Sequence, residues 1–313
     1  MKKVFYILAM TAVVLGLASC GGNSPESNHA PEGAIKGKFT VDAGKQVYFS
    51  NGNLQYNAHS DIWRFAEHQW DYVGDATKGT VVDGGVKSNN MLISENYAGW
   101  IDFFGWGTGK NPTLTSKDDT DYPEFFDWGK KPIENGGNKA NEWRTLSQGE
   151  WEYLFHERDN AEALFGLGTV NGINGAIILP DDWKTPKGLE FTSSVLCEVS
   201  GLGHLVWNEE LRQYRNIYGK NFEHNTYTAA QWSKMEAAGA VFLPAGGYRY
   251  RNGYGDLLNN YIGTGGWYWS STPHVEHDAY CVTFDSDFMN LMYYYVHTRQ
   301  YGGSVRLVQD VNK

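Results

Sequence analysis

Large aromatic side chains recur in parts of this chain that show no regular secondary-structure pattern. The stretch from Gly74 to Asn141 is rich in Gly, Asn and Asp, and the whole sequence holds 12 Trp, 20 Tyr and 15 Phe beside 37 Gly. Disordered segments are poor in aromatic residues, so the pattern predicts long loops that buried rings hold in place. The rings in this stretch are Trp100, Phe103, Phe104, Trp106, Phe125, Phe126 and Trp128.

The N-terminus has the layout of a signal peptide. Lys2 and Lys3 precede an almost wholly apolar run at 4–17, which is too short and too early for a mature membrane-spanning helix. The small residues before Cys20 resemble the lipobox of bacterial lipoproteins, in which the cysteine thiol takes a diacylglycerol before cleavage. The resemblance implies a signal peptide at 1–19, lipidation of Cys20, and an outer-membrane lipoprotein that faces the cell surface or the periplasm. An ordinary signal peptide with an incidental cysteine is the alternative.

The remaining chain divides into a tether and one domain. Residues 20–36 are polar and rich in Gly, Pro and Ser, which predicts a flexible tether. Residues 37–313 contain no internal repeat and no further linker, so they predict a single domain. Loss of the leader moves the formal net charge from -10 to -12, because it removes two lysines. An acidic chain of this kind argues against nucleic acid as a partner.

Short alternating runs predict strands at both ends of the domain, and Asn51-Gly52 between two of these runs predicts a hairpin. A buried strand is expected at 176–179, followed by a turn at 180–183. The other predicted strands are 39–41, 46–49, 54–56, 63–65, 241–244, 246–249, 267–271, 280–284 and 304–308.

Two helices have clear start signals. Ser147 to Glu150 has the sequence of a capping box, with Leu146 and Trp151 placed as a hydrophobic staple. Thr228 to Gln231 repeats the capping box. The staple of this second helix is Tyr227 with Trp232, and Gly239 is the expected stop.

Several motifs together resemble a known family. Trp143-Arg144-Thr145-Leu146 before the Glu150-Trp151 helix is the first, and four more follow in the family's order at 242–245, 247–249, 265–271 and 303–308. They resemble the C-type-lectin-like fold of the formylglycine-generating-enzyme (sulfatase-modifying factor) type, and secreted lipoproteins of Gram-negative bacteria that carry it. The resemblance implies an α+β fold with short antiparallel strands, two main helices and long loops. Arg306 is expected to satisfy buried carbonyls or carboxylates in such a core.

The residues do not favour an enzyme. The enzymes that this fold resembles hold copper through paired cysteine thiolates, whereas Cys281 has only the distant Cys197 as a possible partner. The sequence leaves open whether these two cysteines form a disulfide. His274 and His277 allow a metal site, but loop histidines are usually solvated. We therefore expect no catalytic residue, no cofactor and no metal. A metal-dependent oxidase is the least favoured alternative.

The segment 274–301 differs from its flanks, because consecutive tyrosines at 293–295 cannot all face a core. Exposed Tyr and His on a rigid scaffold are typical of binding surfaces. The arrangement also resembles the variable proteins of diversity-generating retroelements, in which a rewritten segment lies between fixed strands. We expect a protein or glycan ligand. An undiversified binding or structural lipoprotein of the same fold is the alternative. The predicted contacts are His274, His277, Asp278, Tyr280, Asp285, Asp287, Phe288, Asn290, Tyr293, Tyr294, Tyr295, His297 and Tyr301.

Overall fold

The structure, a computed structural model, has an α+β fold. Its described part contains two α-helices, and its strands are short and mostly antiparallel, in small sheets. This agrees with the predicted fold class at the level of α+β. Among the described residues, no helix is long and apolar enough to cross a membrane. The structure describes residues 29–72, 99–195, 205–210, 213–216, 221–251, 257–286, 288–290 and 296–311.

One sheet joins the two ends of the domain. Its order is β1-β2-β19-β6, and Val308 of the last strand pairs with Phe49 near the start. The contact closes the fold, because it pairs strands from the two ends of the chain. The strands are β1 (Phe39–Asp42), β2 (Lys45–Phe49), β6 (Arg144–Thr145) and β19 (Leu307–Asp310).

A second sheet carries most of the predicted binding segment. Its order is β15-β16-β17-β10-β9, and β18 also pairs with β16. Tyr268, Val282 and Phe284 point into one hydrophobic cluster, whereas Trp269 and Cys281 point into another. The two central strands therefore lie between two cores. The strands are β9 (Leu205–Asn208), β10 (Gln213–Asn216), β15 (Gly265–Pro273), β16 (Asp278–Asp285), β17 (Phe288–Asn290) and β18 (Val296–Thr298).

Three smaller sheets complete the described fold. The sheet β11-β7-β8-β12 packs against the second helix through buried Ile177, Phe242 and Trp232. The others are β4-β3-β5 and the pair β13-β14. The strands are β3 (Leu54–Asn57), β4 (Ile62–Phe65), β5 (Trp100–Ile101), β7 (Phe165–Val170), β8 (Ile173–Ile178), β11 (Thr226–Tyr227), β12 (Val241–Pro244), β13 (Tyr248–Arg251) and β14 (Leu257–Asn260).

Both predicted capping boxes are confirmed. In α1 (Gln148–Glu152) the Ser147 hydroxyl accepts from the Glu150 N–H at 3.3 Å, and Glu150 accepts from the Ser147 N–H at 2.8 Å. Thr228 and Gln231 do the same for α2 (Ala229–Ala237). The first helix continues as a π-helix over 153–157.

The predicted hairpin at Asn51-Gly52 is wrong. The strand before it pairs with β1 and β19, and the strand after it pairs with β4 and β5. A tight type I′ turn needs positive φ at both central residues, and neither Asn51 nor Gly52 has it. A Cβ on Gly52 would lie 2.5 Å from the Ala66 carbonyl oxygen. The glycine therefore allows close backbone approach where the chain changes sheets.

Buried rings hold the long loop as predicted, over the part that is described. Phe103, Phe104, Trp106 and Trp128 are buried, and the Trp106 indole donates to the Ser270 carbonyl at 2.9 Å. Phe125 and Phe126 are only partly buried, and so is Trp100.

The fold begins within the predicted tether. Ala34 forms a bridge with Ser50, and the N–H of buried Ile35 donates to the Phe49 carbonyl at 2.8 Å. These two residues of the predicted tether thus belong to the fold. Cys20 and Cys197 lie outside the described residues.

The signature arginine at the end of the domain has the predicted structural role. The Arg306 side chain is buried, and its guanidinium donates to the Ser50 carbonyl at 3.0 Å and to the Phe242 carbonyl. Burial lowers its pKa to about 10, so it stays charged at neutral pH. These hydrogen bonds therefore connect the end of β2 to β12.

Candidate functional site

Six aromatic rings meet at one edge of the β15–β16 sheet, and we call them the aromatic cluster. The Tyr248 ring lies at the centre, with its centroid 4.8 Å from Trp267, 5.0 Å from His297 and 5.6 Å from Tyr301. Tyr248 and Tyr301 are nearly parallel, at 13°, in an offset stack. The members are Tyr248, Tyr250, Tyr261, Trp267, His297 and Tyr301.

Backbone contacts fix the strands that carry these rings. Arg249 and Gly302 exchange both backbone hydrogen bonds at 2.8 Å, which places Tyr248 beside Tyr301. The Arg249 side chain is buried and donates to the Phe103 carbonyl at 3.3 Å. A Cβ on Gly302 would lie 2.8 Å from the Arg249 Nε, so a larger residue there would displace the buried Arg249 side chain. The cluster thus rests on a preorganised frame.

Tyr261 is the most exposed ring of the cluster. Its side chain is 44% exposed, and its centroid lies 5.0 Å from Trp267. Its φ of 56° is in the left-handed region, which is rare for a bulky residue. The Tyr261 carbonyl accepts from the N–H groups of Thr264 and Gly265, both at 3.0 Å, which holds the turn. Strained positions of this kind occur often at binding sites.

The interior of the cluster is uncharged at neutral pH. Burial lowers the pKa of His297 from 6.5 to about 4, so the imidazole is neutral. Burial also raises the pKa of Tyr248, against a hydrogen bond from Asn260. The surface therefore offers neutral ring faces with polar edges, which suits an amphipathic ligand more than a charged one.

The predicted contact residues do not form one surface. His297 and Tyr301 lie in the aromatic cluster. Ala279 lies opposite His297 in the pairing of β16 with β18, so these two side chains share one face of the sheet. Tyr280, the next residue, points to the other face. Asp285 lies at the far end of β16, roughly 23 Å from Asp278 at the strand rise. This split depends on which strands pair, and no sequence feature indicates that pairing.

The remaining described contacts lie around the start of β16. The His274 ring packs against Tyr280 with centroids 4.9 Å apart. The His277 Nδ1 lies 3.2 Å from a carboxylate oxygen of Asp119. The Asp278 carbonyl accepts from the Arg299 Nε at 3.2 Å. Among the described residues, no three His, Cys, Asp or Glu side chains lie close enough to hold a metal.

Some predictions fall where the structure gives no description. Phe288 and Asn290 lie on β17, but their side chains are outside the described set. Asp287 and Tyr293, Tyr294 and Tyr295 lie outside the described residues altogether.

Four members of the aromatic cluster were not predicted as binding residues, namely Tyr248, Tyr250, Tyr261 and Trp267. Tyr248 and Tyr250 alternate along β13, so both point to the same face of this strand pair. Trp267 lies in a predicted strand and is buried, and its ring also packs against Tyr248, Tyr261 and His297. The Tyr-Arg-Tyr alternation was the one available signal. Whether these two rings join a site depends on their contact with His297 of β18, which is distant in sequence.

Cys281 lies beside the aromatic cluster and is poorly suited to thiolate chemistry. It is buried, and burial raises its pKa well above the usual range, against a hydrogen bond from the His297 backbone. A nucleophilic or metal-binding cysteine needs the opposite shift.

These features define an α+β protein with small antiparallel sheets and an aromatic cluster at a sheet edge. Comparison with known proteins finds no matching protein-family model, no matching curated protein and no matching solved structure.

Proposed function

We propose that this chain is an exported lipoprotein, anchored through lipid on Cys20, that displays a ligand-binding domain of the C-type-lectin-like, formylglycine-generating-enzyme type. The leader and the residues before Cys20 support export and lipidation. The ordered family motifs support the fold type. Small antiparallel sheets with two helices in the described part are compatible with it.

The observation that carries the binding function is the aromatic cluster. Partly buried Tyr248 lies at its centre, surrounded by exposed Tyr261, partly buried Tyr301 and His297, and buried Trp267. Large rings with few rotors lose little entropy when they bind, and here the frame already fixes their arrangement. Such a surface is suited to the apolar face of a sugar ring or to an aliphatic or aromatic side chain of a protein.

We further propose that the segment 274–301 is diversified. The strand that precedes it and the strand that follows it have core roles, since Trp269 and Val308 are buried. Replacement of exposed side chains between them would change the ligand without changing the frame. The low suitability of Cys281 for thiolate chemistry favours binding over the oxidase alternative.

The binding role is tested with Tyr261→Ala, a change at an exposed ring. We expect it to reduce binding on an array of immobilised glycans and bacterial surface proteins by about tenfold, since an anchoring ring contributes on the order of 1–2 kcal/mol. Tyr153→Ala, at a partly exposed tyrosine outside the cluster, is the matched control. Equal binding by both variants and the native protein would refute a role for the cluster. Unchanged thermal unfolding shows that Tyr261→Ala leaves the fold intact.

The diversification role is tested by comparing the gene and its flanking DNA among sibling isolates. We expect a nearby copy of the region that encodes 267–308, differing chiefly at adenines, beside a reverse transcriptase. Differences spread evenly along the chain, with no such copy, would leave an undiversified binding lipoprotein.

A further inference from the structure

A groove of about 310 Å³ lies between residues 61–63, at the start of β4, and the loop 131–138. Its volume is at the lower end of the roughly 300–1,000 Å³ that is common for small-ligand sites, which suits a ligand the size of one sugar ring. Ile62, Trp63 and Pro132 supply the apolar part of its lining. The groove shares no residue with the aromatic cluster. We call it the indole groove, after Trp63.

Hydrogen bonds fix the two walls of the indole groove relative to one another. The Glu134 N–H donates to the Trp63 carbonyl at 2.9 Å. Next to it, the Asn135 side chain pairs with the backbone of Phe65 as a neighbouring strand would. Its Oδ1 accepts from the Phe65 N–H at 2.7 Å, and its Nδ2 donates to the Phe65 carbonyl at 3.0 Å. The groove is therefore a preformed shape.

Trp63 brings an unpaired hydrogen-bond donor to the groove. The residue is only 4% exposed, and its ring is held by Tyr56 and Phe104, with centroids 4.6 and 5.6 Å away. Among the described residues, its indole N–H has no hydrogen-bond partner. The Trp128 indole also has none, but its nitrogen is sealed from solvent, whereas the Trp63 nitrogen is not. Buried indole groups usually find a partner, and Trp63 lines the groove, so a ligand there can supply one.

Asp61 brings a carboxylate whose position is already set. The Tyr56 hydroxyl donates to its Oδ1 at 2.9 Å. Burial and this hydrogen bond raise the pKa of Tyr56 to about 12, so the hydroxyl keeps its proton and remains a donor. Asp61 has a φ of 54°, a left-handed conformation that Asp tolerates better than most residues. The preceding turn is held by Asn57, whose side chain accepts from the Ser60 N–H at 3.1 Å.

The remaining polar lining consists of the Lys131 ammonium, the Glu134 carboxylate and the Asn138 amide. In the described part of the chain, neither Lys131 nor Glu134 takes part in an ion pair. An ammonium or an indole can only donate a hydrogen bond, and a carboxylate can only accept one. An anionic ligand would meet two carboxylates, and a cationic ligand would meet an ammonium and leave the indole unpaired. A hydroxyl group both donates and accepts, so a neutral ligand with several hydroxyls satisfies both kinds of group.

We propose that the indole groove binds a neutral sugar ring. Sugar hydroxyl oxygens accept from the Trp63 indole and from Lys131, and sugar hydroxyl hydrogens go to Asp61 and Glu134. The C–H groups of the sugar contact Ile62 and Pro132. This second binding site goes beyond the proposed function, because it and the aromatic cluster have no residue in common and each can bind without the other.

The probes are the methyl glycosides of glucose, galactose and mannose, added to the native protein. The readout is the indole region of a nitrogen–proton correlation NMR spectrum, in which Trp63→Phe identifies the Trp63 signal by its loss. At least one glycoside should shift this signal saturably, with a dissociation constant of about 0.1–10 mM. Glu134→Ala, at an exposed carboxylate, should weaken that binding about tenfold. Glu157→Ala, at an exposed glutamate outside the groove, should leave it unchanged.

Trp128→Phe is the control for the change in the core, since Trp128 lies in the same hydrophobic cluster but does not line the groove. This variant should bind the glycoside as the native protein does. Calorimetry of the native protein and Glu134→Ala measures the same binding without any change in the core.

Three results would overturn the proposal. The first is no saturable shift of the Trp63 signal up to about 100 mM of any of the three glycosides. The second is equal affinity of the native protein and Glu134→Ala. The third is tighter binding of glucosamine or glucuronate, which would assign the groove to a charged ligand. Tyr261→Ala separates this test from that of the proposed function, because it should reduce array binding and leave the glycoside-induced shift of the Trp63 signal unchanged.

Discussion

The aromatic cluster should lose stability in acid because of one histidine. Burial lowers the pKa of His297 from 6.5 to about 4, so the unfolded chain binds more protons than the folded chain between these values. The contribution of the neutral ring is fully present above pH 6.5 and is lost as the pH falls through about 4. A shift of this size corresponds to about 3 kcal/mol at most. Part of the ring remains accessible to solvent, so we expect about 2 kcal/mol between pH 7.5 and pH 4.5.

The assay is urea unfolding at both pH values, for the native protein and for His297→Gln. Other groups also titrate, so the free energy of unfolding of the native protein is compared with that of the variant at each pH. The informative quantity is how much this difference changes between pH 7.5 and pH 4.5. We expect the advantage of the native protein to shrink by about 2 kcal/mol at pH 4.5. His59→Gln, at an exposed histidine outside the aromatic cluster, is the matched control and should show no such change. A side-chain NMR titration that places the His297 pKa near 6.5 would refute the reasoning.

Two further changes test contacts that hold the fold together outside the aromatic cluster. Glu150→Gln should cost about 1–3 kcal/mol in urea unfolding, because a neutral amide replaces the carboxylate that Arg144 contacts through both oxygens at 2.8 Å, although Arg144 keeps its ion pair with Asp310. Burial alone would raise the pKa of Glu150, but hydrogen bonds from Arg144 and Lys45 hold it below its usual range, so this stabilisation is lost as the pH falls through that lowered pKa. Gly52→Ala should cost about 1–3 kcal/mol, because its Cβ would meet the Ala66 carbonyl oxygen, whereas Gly149→Ala in α1 meets nothing and should be neutral or stabilising. Equal stability of the two alanine variants would contradict the close approach at Gly52.

Local features of the fold were predictable from the sequence, and pairing between distant strands was not. Each capping box lies within four residues, and its hydrogen bonds form wherever the helix forms. The Asn51-Gly52 signal failed because β2 pairs with β19, from the other end of the chain. A short-range signal cannot compete with a buried strand that lies next to it only in the folded state.

The same distinction explains the candidate site. The sequence predicted that some rings of 274–301 would face outward, and His297 and Tyr301 do contribute to a partly exposed cluster. The centre of that cluster is Tyr248, which reaches Tyr301 only through the pairing of Arg249 with Gly302. Composition and alternation predict the kind of surface, whereas its membership depends on the tertiary fold.

The position of β16 between two cores limits what a rewritten segment can hold. Ala279, Cys281, Val282 and Phe284 are buried, so a polar or larger residue at any of them would open a core or overfill it. Met289 is buried as well. Diversification of 274–301 is therefore compatible with folding only if these positions keep small or apolar side chains. Under the proposed function, variation among isolates belongs at exposed positions such as His277, and uniform variation along β16 would contradict either the fold or the diversification.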